Sequence, residues 1–340
     1  MVGGVDVSVI VCTRNRAAGL RAMLESACVL AVPPNLCWEL LVVDNGSEDG
    51  TAATASAFSG RLPLRLVREP VIGLCQARNR GLAEARGRYF CWADDDVRFE
   101  PGWLGAYAEA FARHPDAAVF GGRILPELEP PPVGWFARSM HEWPLANMVA
   151  YRDMGDSESP IALEGGRIPW GANYAIRAEE QKRHRYNEEL GFSPHHKRTG
   201  EETDLIYRIM RAGGSGWWVP GACVRHVVPA QRQTRSYLAD YYDRAGRTAA
   251  FLHDKFPGDN ASAVYGPPRF ARMSRFGLAL VTTATRLVAA VAALAGLDRL
   301  SLRFLARHAY YRGVAAHRRE ALAAASRTAM PSFAPAEEPG

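Results

Sequence analysis

The sequence has few cysteines, six among 340 residues, and none of them forms the Cys-x-x-Cys spacing of paired metal ligands or redox thiols. The chain is therefore not a small scaffold held by disulfides, and we expect reduced thiols. Its 31 glycines and 22 prolines follow no period, which excludes a collagen-like rod, and there are no internal repeats. The first residues lack a basic segment followed by an apolar core, so we expect no secretory signal peptide and a cytoplasmic location.

Gly-rich phosphate loops are also absent, because neither GxxxxGK nor GxGxxG follows the first apolar segment. Residues 1–266 carry a formal net charge of −2 and contain no motif in which aromatic and basic residues alternate. Nucleic-acid binding is disfavoured for that reason, since it requires a basic surface.

The positive charge of the chain is concentrated near its C-terminus. Residues 267–327 contain eleven arginines, no lysine, one aspartate and one glutamate. Within them, Phe276–Leu297 carries a single charge, Arg286. Three interpretations stay open: a helix or hairpin lying on the anionic inner face of the cell membrane, which we favour, an ordinary helical subdomain, and a membrane span. The span is disfavoured because a central arginine costs roughly 2.5–3.5 kcal/mol on insertion scales.

Apolar strand segments alternate with helical segments over the first 125 residues. This order predicts an α/β fold with a mostly parallel, Rossmann-like central sheet and helices on both of its faces. We predict a domain over residues 5–230, a C-terminal helical region over 231–328 and a disordered tail over 329–340. Strands are predicted at residues 7–12, 39–43, 64–67, 89–93, 117–121, 216–220 and 223–228. Helices are predicted at residues 17–30, 75–86, 101–114 and 201–212, with another starting near residue 50. Residues 126–167 are predicted to be irregular.

Acidic residues follow two of these strands. Asp44 ends one, and Asp94-Asp95-Asp96 ends another, at the edge where ligands bind in such sheets. Three adjacent carboxylates repel one another, but Mg²⁺ or Mn²⁺ would stabilise them, with Asp94 and Asp96 on one side of an extended segment. A solvated acidic turn is the alternative. For Asp44 the alternatives are a capping turn and an acceptor for a nucleobase N–H or a ribose hydroxyl.

Basic and polar residues are expected to line the same crevice. Thr13, Arg14, Asn15 and Arg16 follow the first strand, and arginine can stack on a base or pair with a phosphate. Arg78 lies on a helix that starts after Gly73 and could approach a diphosphate, although a solvated helix face would also account for it.

Five segments carry a resemblance to a known family. In chain order they are VSVIVCTRNR, LLVVDNGSEDGT, GLCQARNRGLAEARGRYFCWADDDVRFEPGWL, WGANYAIR and GEETDLIYRIMRAGGSGWWVPGACVRHVVP. Together they resemble a family 2 glycosyltransferase of the GT-A fold, bacterial and inverting, over roughly residues 5–230.

The resemblance implies a role for each matching residue. The nucleotide-sugar side would comprise Thr13, Arg14 and Asn15 at the nucleobase, Asp44 reading the base and ribose, Arg78 near the nucleotide, and Asp94 or Asp95 near the ribose. The divalent metal, Mn²⁺ or Mg²⁺, would be held by Asp96, with Asp94 and His226 as further ligands. The acceptor side would comprise Trp170, Gly171, Asn173 and Glu201. The general base would be Glu202, with Asp204 as the second candidate.

The resemblance further implies metal-dependent transfer of a hexosyl-type sugar, with a UDP-sugar as the favoured donor. The acceptor would be a glycan, a lipid-linked molecule or a small molecule, as in polysaccharide or glycoconjugate synthesis. Two other classes remain open: another metal-dependent nucleotide enzyme, such as a nucleotidyltransferase, and a non-catalytic scaffold docked at a membrane.

Overall fold

The computed structural model describes residues 4–163, 166–255, 270 and 273–328. The chain divides into two compact units, Met1–Leu238 and Ala239–Gly340, so the observed division falls eight residues after the boundary expected at residue 230. The tail predicted at 329–340 lies outside the described residues.

A nine-stranded sheet forms the first unit, and its strands appear in the predicted order along the chain. The strands are β1 (Val7–Thr13), β2 (Trp38–Asp44), β3 (Leu64–Arg68), β4 (Tyr89–Asp94), β5 (Val97–Phe99), β6 (Val119–Leu128), β7 (Ser159–Pro160), β8 (Asn173–Arg177) and β9 (Gly216–Val228). Their order in the sheet is β3-β2-β1-β4-β8-β6-β9-β5, and β7 pairs with β9. The prediction of a mostly parallel sheet is confirmed, and β8 runs antiparallel to both β4 and β6.

The helices of this unit cover both faces of the sheet. They are α1 (Ala17–Ala27), α2 (Thr51–Ser56), α3 (Leu74–Glu84), α4 (Trp103–Arg113), α5 (Gly134–Ser139), α6 (Leu145–Met148), α7 (Ala178–Arg183) and α8 (Glu201–Arg211). Leu20 and Met23 of α1 share a buried cluster with Val9 of β1. Gly81 of α3 meets the other face, since a Cβ there would lie 2.8 Å from Cγ2 of Ile10. Adjacent strand residues point to opposite faces, so β1 carries apolar side chains on both.

The segment predicted to be irregular, residues 126–167, is more ordered than expected. It contains the end of β6, the short helices α5 and α6, and β7. The two strands predicted at 216–220 and 223–228 are one strand, β9, which has an irregularity: Gly122 of β6 pairs with Val219, whereas Arg123 pairs with Cys223. The bulge explains why proline and glycine at 220–221 do not end the strand.

The second unit is helical, as predicted. Helix α9 (Arg235–Lys255) crosses the division, and α10 (Arg275–Leu294) and α11 (Asp298–Thr328) follow it. Helix α10 is long and apolar enough to cross a membrane by length and composition, with a mean hydropathy of 1.8 over 18 residues. Only 22% of that window is buried within the protein. Phe276 and Leu294, at its two ends, are 80% and 90% exposed.

Candidate functional site

The carboxyl ends of three neighbouring strands place the predicted residues at one edge of the sheet. Thr13 of β1 pairs in register with Asp44 of β2, and Cys12 pairs with Asp94 of β4. Parallel strands lie about 4.8 Å apart, so these side chains start from backbone positions fixed by the sheet. Asp44 and the aspartate run therefore lie along the same edge of the sheet, as the sequence predicts.

Asp95 turns back onto the end of β1. Its Oδ2 accepts a hydrogen bond of 2.7 Å from the Thr13 hydroxyl, and its Oδ1 lies 3.0 Å from Nε of Arg16. Burial raises the pKa of Asp95 to about 7, although Arg16 opposes the shift. The side chain therefore joins two loops of the site.

Asp96 lies among two arginines and a histidine. Its Oδ2 lies 3.0 Å from Nη2 of Arg16 and 3.2 Å from Nη1 of Arg232, and its Oδ1 lies 3.4 Å from Nε2 of His226. Burial alone would raise the pKa of Asp96, but the attraction of His226, Arg232 and Arg16 outweighs it and lowers the pKa. The carboxylate stays ionised throughout the physiological pH range.

Asp96 and His226 of β9, two of the predicted metal ligands, lie next to each other. Nδ1 of His226 donates a 2.8 Å hydrogen bond to the carbonyl oxygen of Val149, which orients the ring so that its Nε2 faces Oδ1 of Asp96 at 3.4 Å. Among the described residues, no group of three or more His, Cys, Asp or Glu side chains could hold a metal ion. One carboxylate and one imidazole nevertheless fit a divalent cation that takes its other ligands from phosphate and water.

Arg78 of α3 connects the aspartates to α8. Its Nη2 lies 3.6 Å from Asp94, its Nη1 lies 3.0 Å from Glu201, and its guanidinium carbon lies 5.4 Å from the ring centroid of Tyr186. The residue is buried, and the angles leave Nη1 without a hydrogen bond. Predicted metal ligand Asp94 therefore faces Arg78, while Asp96 and His226 contact each other.

Glu202 occupies the first turn of α8, where the helix begins after Gly200. Gly200 has φ +87°, a left-handed conformation that favours glycine, and it turns the chain into the helix. A Cβ on Gly171 would lie 3.2 Å from Cδ of Glu202, so the carboxyl group packs directly against that glycine. Burial and the neighbouring charge of Glu201 raise the pKa of Glu202 to about 7, against the opposing effect of Arg78.

The other donor-side residues are spread along the same edge. Arg14 is exposed, and the backbone N–H of Asn15 donates to the Ser47 hydroxyl at 3.0 Å. The Asn15 side chain accepts the backbone N–H of Glu48 at 2.9 Å. Asp44 accepts the backbone N–H of Ser47 at 3.1 Å, which is the capping-turn geometry considered from the sequence.

Asn173 has a structural task in this site. Its Oδ1 accepts hydrogen bonds from Trp103 and Tyr107, and its Nδ2 donates to the carbonyl oxygens of Arg123 and Ala222. All four hydrogen bonds of the amide are thus made to the protein, two of them at the β6–β9 irregularity. Its predicted acceptor-side role stays a prediction, and this geometry gives it no support.

Asp204, the second candidate base, is paired along its own helix. Its Oδ2 lies 2.9 Å from Nη2 of Arg208, one turn further on. Glu202 lies instead beside Gly171 and Arg78, in the network that reaches Asp94. The geometry favours Glu202.

Much of this site lies within residues that match a known protein family. The sequence profile described as Glycosyl transferase family 2 matches residues 8–167, which include Thr13, Asp44, Arg78 and the three aspartates. Residues 8–167 are thus a glycosyltransferase family 2 domain. The profile ends before β8, α8 and β9, so Glu202 and His226 lie outside the matched residues.

Curated relatives of this chain are similar over most of its length. The pre-mycofactocin glycosyltransferase of Mycobacterium tuberculosis is 27% identical over 267 residues, which cover 76% of this chain and 50% of that protein. The succinoglycan biosynthesis protein ExoM of Rhizobium meliloti is 27% identical over 249 residues, which cover 71% of this chain and 73% of that protein. The chain thus spans about half the length of the mycobacterial relative.

Solved structures with a similar fold cover almost the whole chain. The mannosyltransferase PcManGT from Pyrobaculum calidifontis, in complex with GDP-Man and Mn²⁺, superimposes with a TM-score of 0.61 at 18% identity, covering 93% of this chain and 87% of that one. Residues 1–349 of S. aureus TarS, in complex with UDP-GlcNAc, give a TM-score of 0.51 at 15% identity, covering 94% and 92%. At these identities the likeness shows the fold alone, which is GT-A.

Two arginines of the site were not assigned a role from the sequence. The sequence places Arg16 in the crevice without indicating its partner, and it indicates no role for Arg232. Arg232 follows β9 in a short 3₁₀ turn, Ala230–Arg232, and no local pattern relates it to Asp96, which is 136 residues away.

Proposed function

We propose that the chain transfers a sugar from a nucleotide-diphosphate sugar to an acceptor hydroxyl, with inversion at the anomeric carbon and with a bound divalent cation. One observation carries this proposal. A partly buried carboxyl group with a pKa of about 7, Glu202, lies 4.0 Å from Nη1 of Arg78, whose Nη2 lies 3.6 Å from Asp94 at the end of β4. A base and a cation-binding carboxylate within one crevice are what such a transfer requires.

The donor half comprises the loops after β1, β2 and β4. Asp44 offers a carboxylate oxygen to the base or ribose, and Asp96 and His226 would hold Mn²⁺ or Mg²⁺ against the diphosphate. When bound, that cation supplies Lewis-acid neutralisation of the leaving group. Arg78 adds a buried cation that is paired with Glu201 and lies 3.6 Å from Asp94, so its charge stands beside the aspartates of the proposed donor half.

The transfer step itself uses Glu202. Its carboxylate takes the proton of the acceptor hydroxyl while that oxygen bonds to the anomeric carbon, and the bond from that carbon to the diphosphate oxygen breaks. The nucleoside diphosphate leaves with the bonding electrons. A UDP-sugar is the favoured donor, and a glycan, lipid-linked or small-molecule acceptor in polysaccharide or glycoconjugate synthesis is proposed.

A donor panel tests this function. The purified chain is incubated with UDP-, GDP- and dTDP-sugars with Mn²⁺, Mg²⁺ or EDTA, and free nucleoside diphosphate is measured. We expect metal-dependent hydrolysis of at least one donor, and thermal stabilisation by its nucleoside diphosphate with Mn²⁺ that exceeds stabilisation by ATP or CTP. Hydrolysis of none would contradict the proposal, and preference for a triphosphate would favour a nucleotidyltransferase.

We also propose that the C-terminal helices rest on an anionic membrane surface, at the inner face of the cell membrane. Two features support this: the apolar side chains exposed along α10, and the arginine-rich composition of residues 267–327. Phe276, Leu287, Val291 and Leu294 are each more than half exposed. Apolar contact combined with cationic side chains is the composition of interfacial helices.

Vesicle flotation tests the membrane proposal. We expect the chain to float with vesicles that contain phosphatidylglycerol and to float less with phosphatidylcholine alone. Flotation should also be weaker at about 500 than at about 50 mM NaCl, because salt screens the attraction between the arginines and the anionic lipids. The double variant Leu287→Glu with Val291→Glu should stay at the bottom, whereas Val29→Glu, an equally exposed position in the sheet unit, should float. No flotation of the unchanged chain would refute the proposal, and flotation insensitive to lipid charge and salt would favour a span.

A further inference from the structure

Arg152 is a partly buried arginine that the proposed transfer does not use. Its backbone N–H and carbonyl pair with Ile124, which anchors the residue beside β6. Its Nη2 donates to the carbonyl oxygen of Gly166 at 2.6 Å, and its guanidinium carbon lies 5.3 Å from the ring centroid of Trp170. Its Nε is buried and has no hydrogen-bond partner.

No carboxylate of residues 4–163 and 166–238 lies within ion-pair distance of Arg152. The nearest charge that affects its pKa is another cation, Arg167, and burial together with that repulsion lowers the pKa of Arg152 to about 10. Arg16, Arg78 and Arg232, by contrast, each lie beside a carboxylate. A partly buried guanidinium without a counter-ion among these residues is costly, and an anion from outside the chain would stabilise it.

The position of Arg152 relates it to the acceptor half of the site. Trp170, on which its guanidinium lies, immediately precedes Gly171, the residue against which Glu202 packs. Val149, three residues before Arg152 in the chain, supplies the carbonyl oxygen that orients His226. Arg152 is therefore connected to the candidate base through Trp170 and Gly171, and to a candidate metal ligand through the backbone of residues 149–152.

We propose that Arg152, supported by Trp170, binds an anionic group, a phosphate or a carboxylate, on the acceptor molecule. The planar guanidinium can donate two parallel hydrogen bonds to either group, and the ring beneath it holds the fork in place. That the anion belongs to the acceptor molecule rests on the proposed function, whereas the binding of an anion at Arg152 does not depend on catalysis. Arg152 is in these terms a specificity-determining residue.

Calorimetry with matched probes tests the anion site. The full chain is first saturated with Mg²⁺ and inorganic pyrophosphate, so that the phosphate site of the donor is occupied, and is then titrated with phenyl phosphate, benzoate or benzyl alcohol. We expect the unchanged chain to bind one or both anions more tightly than the alcohol. Arg152→Gln should raise the dissociation constant of the bound anion about tenfold or more, because a charge-assisted bidentate contact is lost. Arg152→Lys should lie between the two.

Arg61→Gln is the matched control, because Arg61 also lies over an aromatic ring, 5.1 Å from the centroid of Phe58, and is exposed elsewhere in the sheet unit. It should leave every probe unaffected. Preference for phenyl phosphate identifies a phosphate, and preference for benzoate identifies a carboxylate. Equal binding of all three probes, or an unchanged dissociation constant in Arg152→Gln, overturns the inference.

Two further measurements separate this inference from the proposed function and from a loss of structure. The pyrophosphate affinity and the far-UV circular dichroism of Arg152→Gln should match those of the unchanged chain. If that variant does not fold, Trp170→Leu takes its place. This variant keeps the arginine and removes the ring beneath it, and it should weaken anion binding. Hydrolysis of no donor combined with Arg152-dependent anion binding contradicts the proposed function alone. With an identified acceptor, Arg152→Gln should raise the KM for that acceptor and leave kcat and the donor KM unchanged.

Discussion

Replacing Asp96 by Asn is expected to lower metal-dependent donor turnover by roughly 100- to 1,000-fold, the usual effect of removing one electrostatic group from an active site. The amide keeps the shape of the side chain but removes the charge that a cation needs. Asp96 faces His226 through one oxygen and Arg16 and Arg232 through the other, and its lowered pKa keeps it ionised. The measurement is nucleoside diphosphate release at saturating Mn²⁺.

The binding of Mn²⁺ gives a second reading that does not depend on turnover. Electron paramagnetic resonance titration in the presence of the nucleoside diphosphate should show weaker Mn²⁺ binding in Asp96→Asn and unchanged binding in Asp116→Asn, an exposed control at a turn. Circular dichroism should be unchanged in both variants. If Asp96→Asn turned over donor at the normal rate, or if the unchanged chain were fully active in EDTA, the assignment of Asp96 would be wrong.

Replacing Glu202 by Gln is expected to reduce sugar transfer about 100- to 10,000-fold while donor affinity stays near normal, because general-base catalysis contributes that range and the side chain lies on the acceptor half. Donor affinity is measured by calorimetry and transfer by product formation. Asp204→Asn removes the alternative base, which is paired with Arg208 and should matter far less to kcat. Glu109→Gln, an exposed position on α4, is the neutral control. A fully active Glu202→Gln enzyme together with an inactive Asp204→Asn enzyme would transfer the role to Asp204.

The pH dependence of kcat follows from the same carboxyl group. A base must be deprotonated, and burial raises the pKa of Glu202 to about 7, so kcat should rise about tenfold per pH unit below 7 and level off above it. At pH 6 roughly a tenth of the maximal rate is expected. Asp95 also has a pKa of about 7, so the profile is repeated with Asp95→Asn. If the rise of kcat with pH persists in this variant, the rise belongs to Glu202. A kcat that stays constant from pH 5 to 8 would contradict the assignment.

The sheet and the aspartate cluster were predictable because both are local patterns. Apolar runs such as VSVIVC and ELLVV place strands within one or two residues of their observed bounds. Since parallel strands end at one edge, Asp44 and Asp94 were expected at the same edge of the sheet, where they flank the end of β1. The positions of Glu202 and His226 came from the resemblance to a family and not from periodicity.

Features that depend on contacts distant in the chain could not be predicted. Nothing near Arg232 indicates that it pairs with Asp96, and nothing near Asn173 indicates that its amide would bind both sides of the β6–β9 irregularity. The division of roles among the three aspartates depends on how the chain turns after β4. Asp94 faces Arg78, Asp95 faces Thr13, and Asp96 faces His226.

Gly171 limits which substitutions the site can tolerate. A Cβ at this position would lie 3.2 Å from Cδ of Glu202, so the carboxyl group would have to move, and under the proposed mechanism a larger residue there would impair proton transfer. Arg152 contacts Gly166 and Trp170 instead, so a substitution at Arg152 leaves Gly171 itself unchanged. We therefore expect changes of acceptor specificity among related chains to occur at Arg152 and not at Gly171, with the reaction chemistry unchanged.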